Sequence, residues 1–144
     1  MDHGFQYVED NHPLALEADY PYTAKDGTCN KEEQRSASGR ITGFEDVEKN
    51  SVSQLKAALM KNPVSIAIEA DSDAVFHYKS GIIDKDAGCG QQLDHGVLAV
   101  GYGDGYFIVK NSWGAAWGDA GYFKISDDDS NVCGILSNPS YPTA

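Results

Sequence analysis

Residues 97–109, VLAVGYGDGYFIV, contain two apolar and aromatic runs separated by a glycine-rich segment. The first run is Val97 to Val100 and the second is Tyr106 to Val109, with three glycines among the five residues between them. β-Branched and aromatic residues favour strands, and glycine favours the tight connection between two antiparallel strands. The stretch therefore predicts a β-hairpin.

The segments on either side of this hairpin predict one helix and further strands. Ser51 and Gln54 have the spacing of a capping box, and a helical apolar pattern follows until the Asn-Pro pair at 62–63. Residues 64–68 alternate apolar and smaller or polar side chains, as a half-buried strand does, and residues 121–125 form another strand pattern. Many short strands after one helix favour a small antiparallel barrel or sandwich as the main body.

Residues 1–46 differ from the rest of the chain because they carry little periodic pattern and many turn formers. A short helix is predicted from Phe5 to Asp10, and an aromatic cluster follows at Tyr20-Pro21-Tyr22. We expect this segment to be a remnant of a domain and residues 47–144 to form the main domain.

The composition excludes several classes of function. The 144 residues include 11 basic and 22 acidic side chains, a net charge of −11 that argues against binding to nucleic acid or to an anionic membrane. No apolar run approaches the roughly 18 residues that a membrane span needs. The charge run Asp127 to Asp129 predicts a solvated loop tip, and residues 71–75 lack the EF-hand pattern, so we expect neither a metal nor a cofactor.

His95 and Asn111 lie near the two ends of the hairpin and are the chemically informative pair. A connection of only Asp104-Gly105 would place Asn111 opposite Leu98, three positions from His95 and roughly 10 Å away. An odd-numbered loop centred on Gly103 would instead place Asn111 opposite His95, at about 5 Å between Cβ atoms. Three glycines in five residues make the longer loop plausible. The amide oxygen could then accept from one imidazole nitrogen and fix the tautomer.

The sequence resembles the papain and cathepsin L family of cysteine endopeptidases over essentially its whole length. The segments that carry this resemblance follow one another in family order: Met1-Asp2 with Phe5-Gln6-Tyr7-Val8, Tyr20-Pro21-Tyr22, Pro63-Val64-Ser65, Asp94-His95-Gly96, Val100-Gly101-Tyr102-Gly103, Lys110-Asn111-Ser112-Trp113-Gly114, Trp117-Gly118, Gly121-Tyr122, Cys133-Gly134-Ile135 and Tyr141-Pro142. The resemblance implies an α+β, papain-like fold. This chain would contribute mainly the antiparallel β-barrel right domain, with a remnant of the helical left domain.

By this resemblance His95 is the general base and acid, Asn111 orients it, and Trp113 covers their hydrogen bond from water. Asp94 is not expected to take part, because adjacent strand residues point to opposite faces. Met1, Ala67, Leu93, Gly96 and Asn138 fall where the family lines the pocket for the side chain two residues before the scissile bond. The apolar members of this set predict an apolar occupant.

The three cysteines are also interpreted through the resemblance, which pairs Cys89 with Cys133 as a disulfide. Cys29 resembles a family cysteine whose partner lies upstream of this sequence. The family nucleophile belongs to a C-G-[SA]-C-[WY] segment, and these 144 residues contain no such segment. We therefore expect a C-terminal portion that lacks the nucleophile and is inactive alone.

Two functional interpretations remain open at this point. The chain is part of a peptide-hydrolysing enzyme that needs the missing segment, or it is a natural pseudo-peptidase that binds peptides or inhibitors. Expected partners are a peptide or protein substrate, cystatin-type inhibitors, and either the missing nucleophile segment or a second copy of the chain. The resemblance implies a lysosomal, vacuolar or secreted location, although the sequence itself carries no targeting signal.

Overall fold

The computed structural model describes residues 1–10, 14–30 and 39–144. Its contacts divide the chain into two compact units, one of Met1–Glu45 with Pro142–Ala144 and the other of Asp46–Tyr141. Parts of the predicted 1–46 segment, residues 11–13 and 31–38, lie outside the described residues.

The first unit contains helix α1, Asp2–Glu9, which starts earlier than the predicted helix and ends one residue before it. Val8 on this helix is buried, and the Phe5 ring lies 5.8 Å from the ring of Phe44. Phe44 belongs to strand β1, Gly43–Asp46. Just before this strand, the Thr42 amide donates to the Thr143 carbonyl at 2.8 Å.

The second unit begins with the predicted helix and strand. Helix α2 spans Val52–Leu59, and the hydroxyl of its N-cap, Ser51, accepts from the Gln54 amide at 3.3 Å. Such a cap satisfies one of the amides that the first helical turn leaves free. Strand β2, Val64–Ile68, follows with alternate residues fully buried, which confirms the predicted period of two.

The predicted hairpin is formed by β3, His95–Gly103, and β4, Tyr106–Lys110, and β5, Tyr122–Ser126, pairs with β4. Gly103 pairs with Tyr106, so the connection is Asp104-Gly105 and the predicted longer loop is wrong. Gly105 adopts a φ of +88°, which a residue without a Cβ allows at no steric cost. A two-residue turn with one glycine is therefore sufficient to connect the two strands of the hairpin.

The other elements among the described residues are the short helix α3, Asp73–Phe76, the 3₁₀ turn Val132–Gly134 and strand β6, Ser140–Thr143. The sheet has the strand order β1-β6-β2-β3-β4-β5, and every pairing from β6 to β5 is antiparallel. The core under this sheet includes side chains with no exposed surface, such as Leu55, Ile66 and Phe107. A mainly antiparallel body with few helices confirms the predicted α+β arrangement.

The acidic run after β5 is less solvated than the sequence predicts. Asp127 forms an ion pair with Lys56 at 2.5 Å, and only 13% of its side chain is exposed. Asp128 accepts from the Ser126 hydroxyl at 3.0 Å and from the amide and hydroxyl of Ser130. Two of the three carboxylates are thus held: Asp127 by a lysine of α2, and Asp128 by hydroxyls and an amide that the tight turn brings close.

Candidate active site

His95 and Asn111 are placed by the two strands of the hairpin. His95 is the first residue of β3 and pairs with Ile68, the last residue of β2. Asn111 directly follows β4, and its amide donates to the Gly121 carbonyl at 3.0 Å. Both side chains therefore project from backbone that neighbouring strands hold in position.

The two side chains form a hydrogen bond of 2.9 Å between His95 Nε2 and Asn111 Oδ1. The same Oδ1 accepts from the Ser112 amide at 2.8 Å, so the oxygen of the amide faces the imidazole. Nε2 therefore carries the proton, and Nδ1 is left as the acceptor of the neutral ring. Asn111 is only 8% exposed, which shields this bond from water.

A bulge explains how the pair meets although the short connection was expected to separate it. The register changes between Ala99 and Gly101. On the His95 side of this bulge, Ala99 faces Val109. Continued by two residues, this register sets Asn111 opposite Val97. Val97 is two positions from His95 and on the same face, whereas three positions would have put the pair on opposite faces. Diagonal neighbours of this kind lie about 7 to 8 Å apart, within the combined reach of these side chains.

An aromatic cluster lies against the His95 ring. The Trp113 ring lies 5.1 Å from the His95 ring at an interplanar angle of 30°. Trp113 in turn contacts Trp117 edge-on at 5.1 Å and Phe76 at 5.7 Å. The Trp117 indole donates to the Phe76 carbonyl at 3.0 Å, which fixes α3 beside the cluster. Sequence reasoning missed Phe76, because nothing in its local pattern distinguishes it from a core residue.

Tyr78 extends the cluster into the core. Its ring lies 6.0 Å from Trp117, and its hydroxyl donates to the Gly81 carbonyl at 2.7 Å. Burial raises the pKa of Tyr78 above its ordinary value, so the phenol stays protonated and keeps this bond at physiological pH.

An open cavity of about 500 Å³ adjoins the imidazole. Its lining residues are Ala70, Asp71, Phe76, Asp94, His95 and Trp113. The Phe76 and Trp113 side chains are 59% and 36% exposed, so apolar surface is presented to solvent here. The cavity is large enough for part of a peptide.

Asp94 does not approach Asn111 through any described hydrogen bond. Its Oδ1 accepts from the Ala70 amide at 2.8 Å, and its own amide donates to the Ile68 carbonyl at 3.0 Å. The carboxylate thus ties the start of β3 to the end of β2, next to His95.

Four of the five predicted pocket residues lie in the second unit. Ala67 and Gly96 are direct register partners, one step along the ladder from the Ile68–His95 pair. Asn138 lies two residues before Ser140, which pairs with Ser65. Leu93 is 40% exposed at the end of the loop before β3. Met1 belongs to the first unit, where it caps α1.

Cys89 and Cys133 are joined by a disulfide, as the resemblance implied. Residues 46–141 are all described and contain no other cysteine, so this unit offers no free thiol. Cys29, in the first unit, is free and exposed.

Within residues 1–10, 14–30 and 39–144, no three His, Cys, Asp or Glu side chains are grouped so that they could hold a metal ion. None of the helices described is long and apolar enough to cross a membrane.

Comparison with known families identifies the class of protein. A family model described as papain family cysteine protease matches residues 1–143. This chain therefore belongs to the papain family of cysteine proteases.

Curated relatives agree with this assignment. The chain is 43% identical over 151 residues to the cysteine endopeptidase RepA of Oryza sativa subsp. japonica, with 99% of this chain and 39% of that protein covered. It is 42% identical over 150 residues to procathepsin L of Rattus norvegicus, with 99% and 45% covered. The chain thus spans less than half the length of these relatives.

Solved structures confirm the fold. The bromelain protease of Ananas comosus, in complex with the E64 inhibitor, superposes with a TM-score of 0.85 at 36% identity, covering 99% of this chain and 68% of that chain. A cysteine protease of Carica candamarcensis in complex with E-64 gives a TM-score of 0.87 at 36% identity, covering 99% and 67%. The predicted α+β, papain-like fold is therefore correct.

Proposed function

We propose that this chain is the C-terminal portion of a cysteine endopeptidase and supplies the acid–base half of its catalytic site. The observation that carries the proposal is the 2.9 Å bond from His95 Nε2 to Asn111 Oδ1. Because the Ser112 amide also donates to Oδ1, this oxygen accepts from the imidazole and fixes one tautomer. In that tautomer Nδ1 is free to exchange a proton with a nucleophile. Trp113 lies against the ring and keeps water from the bond.

In the complete enzyme, a cysteine thiol first gives its proton to His95 Nδ1, which leaves a thiolate and an imidazolium. The thiolate attacks the scissile carbonyl carbon, and Nδ1 returns the proton to the leaving amine as the C–N bond breaks. Neutral His95 then accepts a proton from water, whose oxygen attacks the thioester and releases the acid and the thiol. Asn111 stabilises the imidazolium by keeping Nε2–H bonded throughout.

We propose that the thiol comes from residues outside this sequence, in the same polypeptide or in another one. Both cysteines of the second unit are consumed by the disulfide. The 144 residues also lack the C-G-[SA]-C-[WY] segment of the family nucleophile. We therefore expect the chain alone to hydrolyse no peptide.

The proposed substrate is a peptide with an apolar side chain two residues before the scissile bond. Ala67 and Gly96 are small register partners, a Cβ placed on Gly96 would meet no atom within 4 Å, and Leu93 is 40% exposed, which supports a site open to such a side chain. Asn138, in the same unit, belongs to the proposed pocket as well. Cystatin-type inhibitors and a lysosomal, vacuolar or secreted location belong to the same proposal, because they accompany this class of enzyme.

The test uses the chain fused behind a papain-family segment that carries the nucleophile motif. With a fluorogenic peptide bearing Leu two residues before the bond, we expect turnover by the fusion and none by either part alone. His95→Ala should abolish turnover and Asn111→Ala should lower it by about 100-fold, within the usual range for acid–base catalysis. His77→Ala, at an exposed histidine, is the matched control and should keep full activity.

Two different outcomes would contradict the role of His95 and the enzymatic function separately. A fusion in which the His95→Ala variant remains as active as the unsubstituted protein contradicts the proposed role of His95. A fusion that folds but never turns over substrate contradicts the proposed enzymatic function as a whole.

A second candidate function, a pseudo-peptidase that binds peptides or inhibitors, is favoured by one observation. The cavity beside His95 is open while the second unit has no thiol. This alternative expects the isolated chain to bind a peptide or a cystatin in a calorimeter, with no dependence on a nucleophile segment. Absence of binding at high micromolar concentration contradicts it.

A further inference from the structure

Glu69 is the centre of a hydrogen-bond cluster that the catalytic roles do not explain. Its carboxylate accepts from two loop amides, that of Gly90 at 2.7 Å on Oε1 and that of Gln92 at 2.6 Å on Oε2. Its own amide donates to the Cys133 carbonyl at 2.9 Å. One residue directly after β2 therefore holds both the loop before β3 and the backbone at one end of the disulfide.

The rest of this loop, residues 89–94, is also fixed, except at Leu93. Cys89 is tied by the disulfide, and the Gln91 side chain donates to the Ser130 carbonyl at 3.1 Å and accepts from Asn131 at 3.3 Å. The Asp94 amide is bonded to β2. Leu93 stands between these anchors, so its position is set by how its neighbours are held.

Leu93 rests on the backbone of Gly134, the residue after Cys133. A Cβ placed on Gly134 would lie 2.5 Å from Leu93 Cδ2, so the leucine occupies the space that the glycine leaves. Gly134 also adopts a φ of +77°, which disfavours any other residue there. The side of Leu93 that does not contact Gly134 remains exposed to solvent.

We propose that Glu69 is a positioning residue that fixes Leu93 as a wall of the substrate pocket and thereby sets the preference for the apolar side chain two residues before the scissile bond. The inference rests on the proposed function, because it takes Leu93 as part of that pocket. Glu69 touches neither substrate nor the reacting atoms; it acts through the amides of Gly90 and Gln92.

The chemistry of the side chain suits this task. Two backbone N–H groups point to one carboxylate, and charge-assisted bonds of this kind are about twice as strong as neutral ones. Glutamine would offer one acceptor oxygen and turn an N–H₂ group toward the second amide, whereas aspartate would keep both acceptor oxygens on a side chain one methylene shorter. Gly90 is required to let the carboxylate approach, since a Cβ there would lie 2.6 Å from Glu69 Oε2.

The first experiment uses the isolated chain and needs no activity. In protein with labelled leucine methyl groups, we expect an NOE from the Leu93 methyl to the Gly134 Hα, and its loss in Glu69→Ala. Hydrogen exchange at the Gly90 and Gln92 amides should become about tenfold faster in that variant. Glu48→Gln, at an exposed position before α2, is the matched control and should change neither readout. An undiminished NOE in Glu69→Ala overturns the proposal.

The second experiment uses the active fusion and compares peptides with Leu or Ala two residues before the bond. Glu69→Gln should lower kcat/KM for the Leu peptide by about fivefold to tenfold, mainly through KM, and leave the Ala peptide nearly unchanged. Glu69→Asp should recover part of this selectivity. An equal loss on both peptides indicates a merely structural role and overturns the proposal.

Gly90→Ala provides an independent variant that keeps Glu69 in place but displaces its carboxylate. It should reproduce the selectivity change of Glu69→Gln, and the double variant should add little to either single one, because both break the same contact. Additive effects overturn the proposal. An inactive unsubstituted fusion contradicts the proposed function instead, while the NOE in the isolated chain still decides whether Glu69 positions Leu93.

Discussion

The two units of the chain differ in how they are stabilised. Among the described residues, every buried apolar side chain except Val8 belongs to Asp46–Tyr141. In the first unit, by contrast, Leu14, Leu16 and Tyr22 are between 59% and 85% exposed. Because hydrophobic burial is the dominant favourable term in folding, the cooperative stability of this chain resides in the second unit, which also holds His95 and Asn111.

The largest expected effect comes from opening a cavity in the second unit. Phe107 has no exposed surface, and Phe107→Ala should lower the free energy of unfolding by about 3 to 5 kcal/mol, measured by urea denaturation. Leu16→Ala, in the first unit, should change it by less than about 0.5 kcal/mol. Equal losses from the two variants would contradict the assignment of stability to the second unit.

Removal of the disulfide should have an effect of similar size within the same unit. The bridge closes a separation of 44 residues, and the Cys89→Ser/Cys133→Ser double variant should lose roughly 4 kcal/mol of unfolding free energy in the chain-entropy model. Cys29→Ser, at the exposed free cysteine of the first unit, is the control and should leave the urea midpoint unchanged. An unchanged midpoint in the double variant would show that the bridge adds no stability.

A smaller loss of unfolding free energy is expected from removing a buried polar side chain of the second unit. Asn111→Ala removes the acceptor of two hydrogen bonds, at a cost of about 2 kcal/mol in unfolding free energy. The buried Asn111 Nδ2 has no hydrogen-bond partner in the described part of the chain, so its removal offsets part of that cost. Nitrogen NMR should show His95 protonated at Nε2 in the unsubstituted chain and a tautomer mixture in the variant. A single tautomer in both would contradict the orienting role of Asn111.

The smallest effect should be a pH dependence from Asp128. The hydrogen bond from the Ser130 hydroxyl, with smaller contributions from the Ser130 amide and Ser126, lowers the pKa of Asp128 below its ordinary value of 3.8. The ionised carboxylate therefore favours folding above pH 3.8, and this contribution is lost as the pH falls through the lower folded pKa. The stability difference between the unsubstituted chain and Asp128→Asn should shrink over that acidic range. A difference that stays constant over that range would contradict the role given to the Ser130 hydroxyl.

Much of the fold was predictable because its signals are local. The capping residue Ser51 and the period of two in β2 depend on neighbours in sequence, and both were confirmed. The strand runs of the hairpin were located correctly as well, and β3 is longer at both ends than predicted. Helix α1 begins earlier than expected, since ends of short helices depend on contacts outside the helix.

The geometry of the candidate site was less predictable. The pairing of His95 with Asn111 was expected, but through a longer loop than the structure has. The bulge between Ala99 and Gly101 leaves no mark in the pattern of apolar residues, although it moves Asn111 onto the face of His95. Phe76 and the Glu69 cluster were missed for a related reason, since their partners lie 21 to 41 residues away along the chain.

The sequence by itself predicted the core strands, because these follow from residue type and local spacing. Its resemblance to the papain family indicated the family, the imidazole, the amide and the paired cysteines. Only the tertiary structure decided that Nε2 of His95 is the nitrogen bonded to Asn111 and that Trp113 lies against the imidazole. It also decided that the Glu69 carboxylate supports the loop before β3. The physical reason is that hydrogen bonds and ring contacts depend on ångström-scale distances between residues far apart in the chain. A single bulge is enough to change those distances without changing the pattern of the sequence.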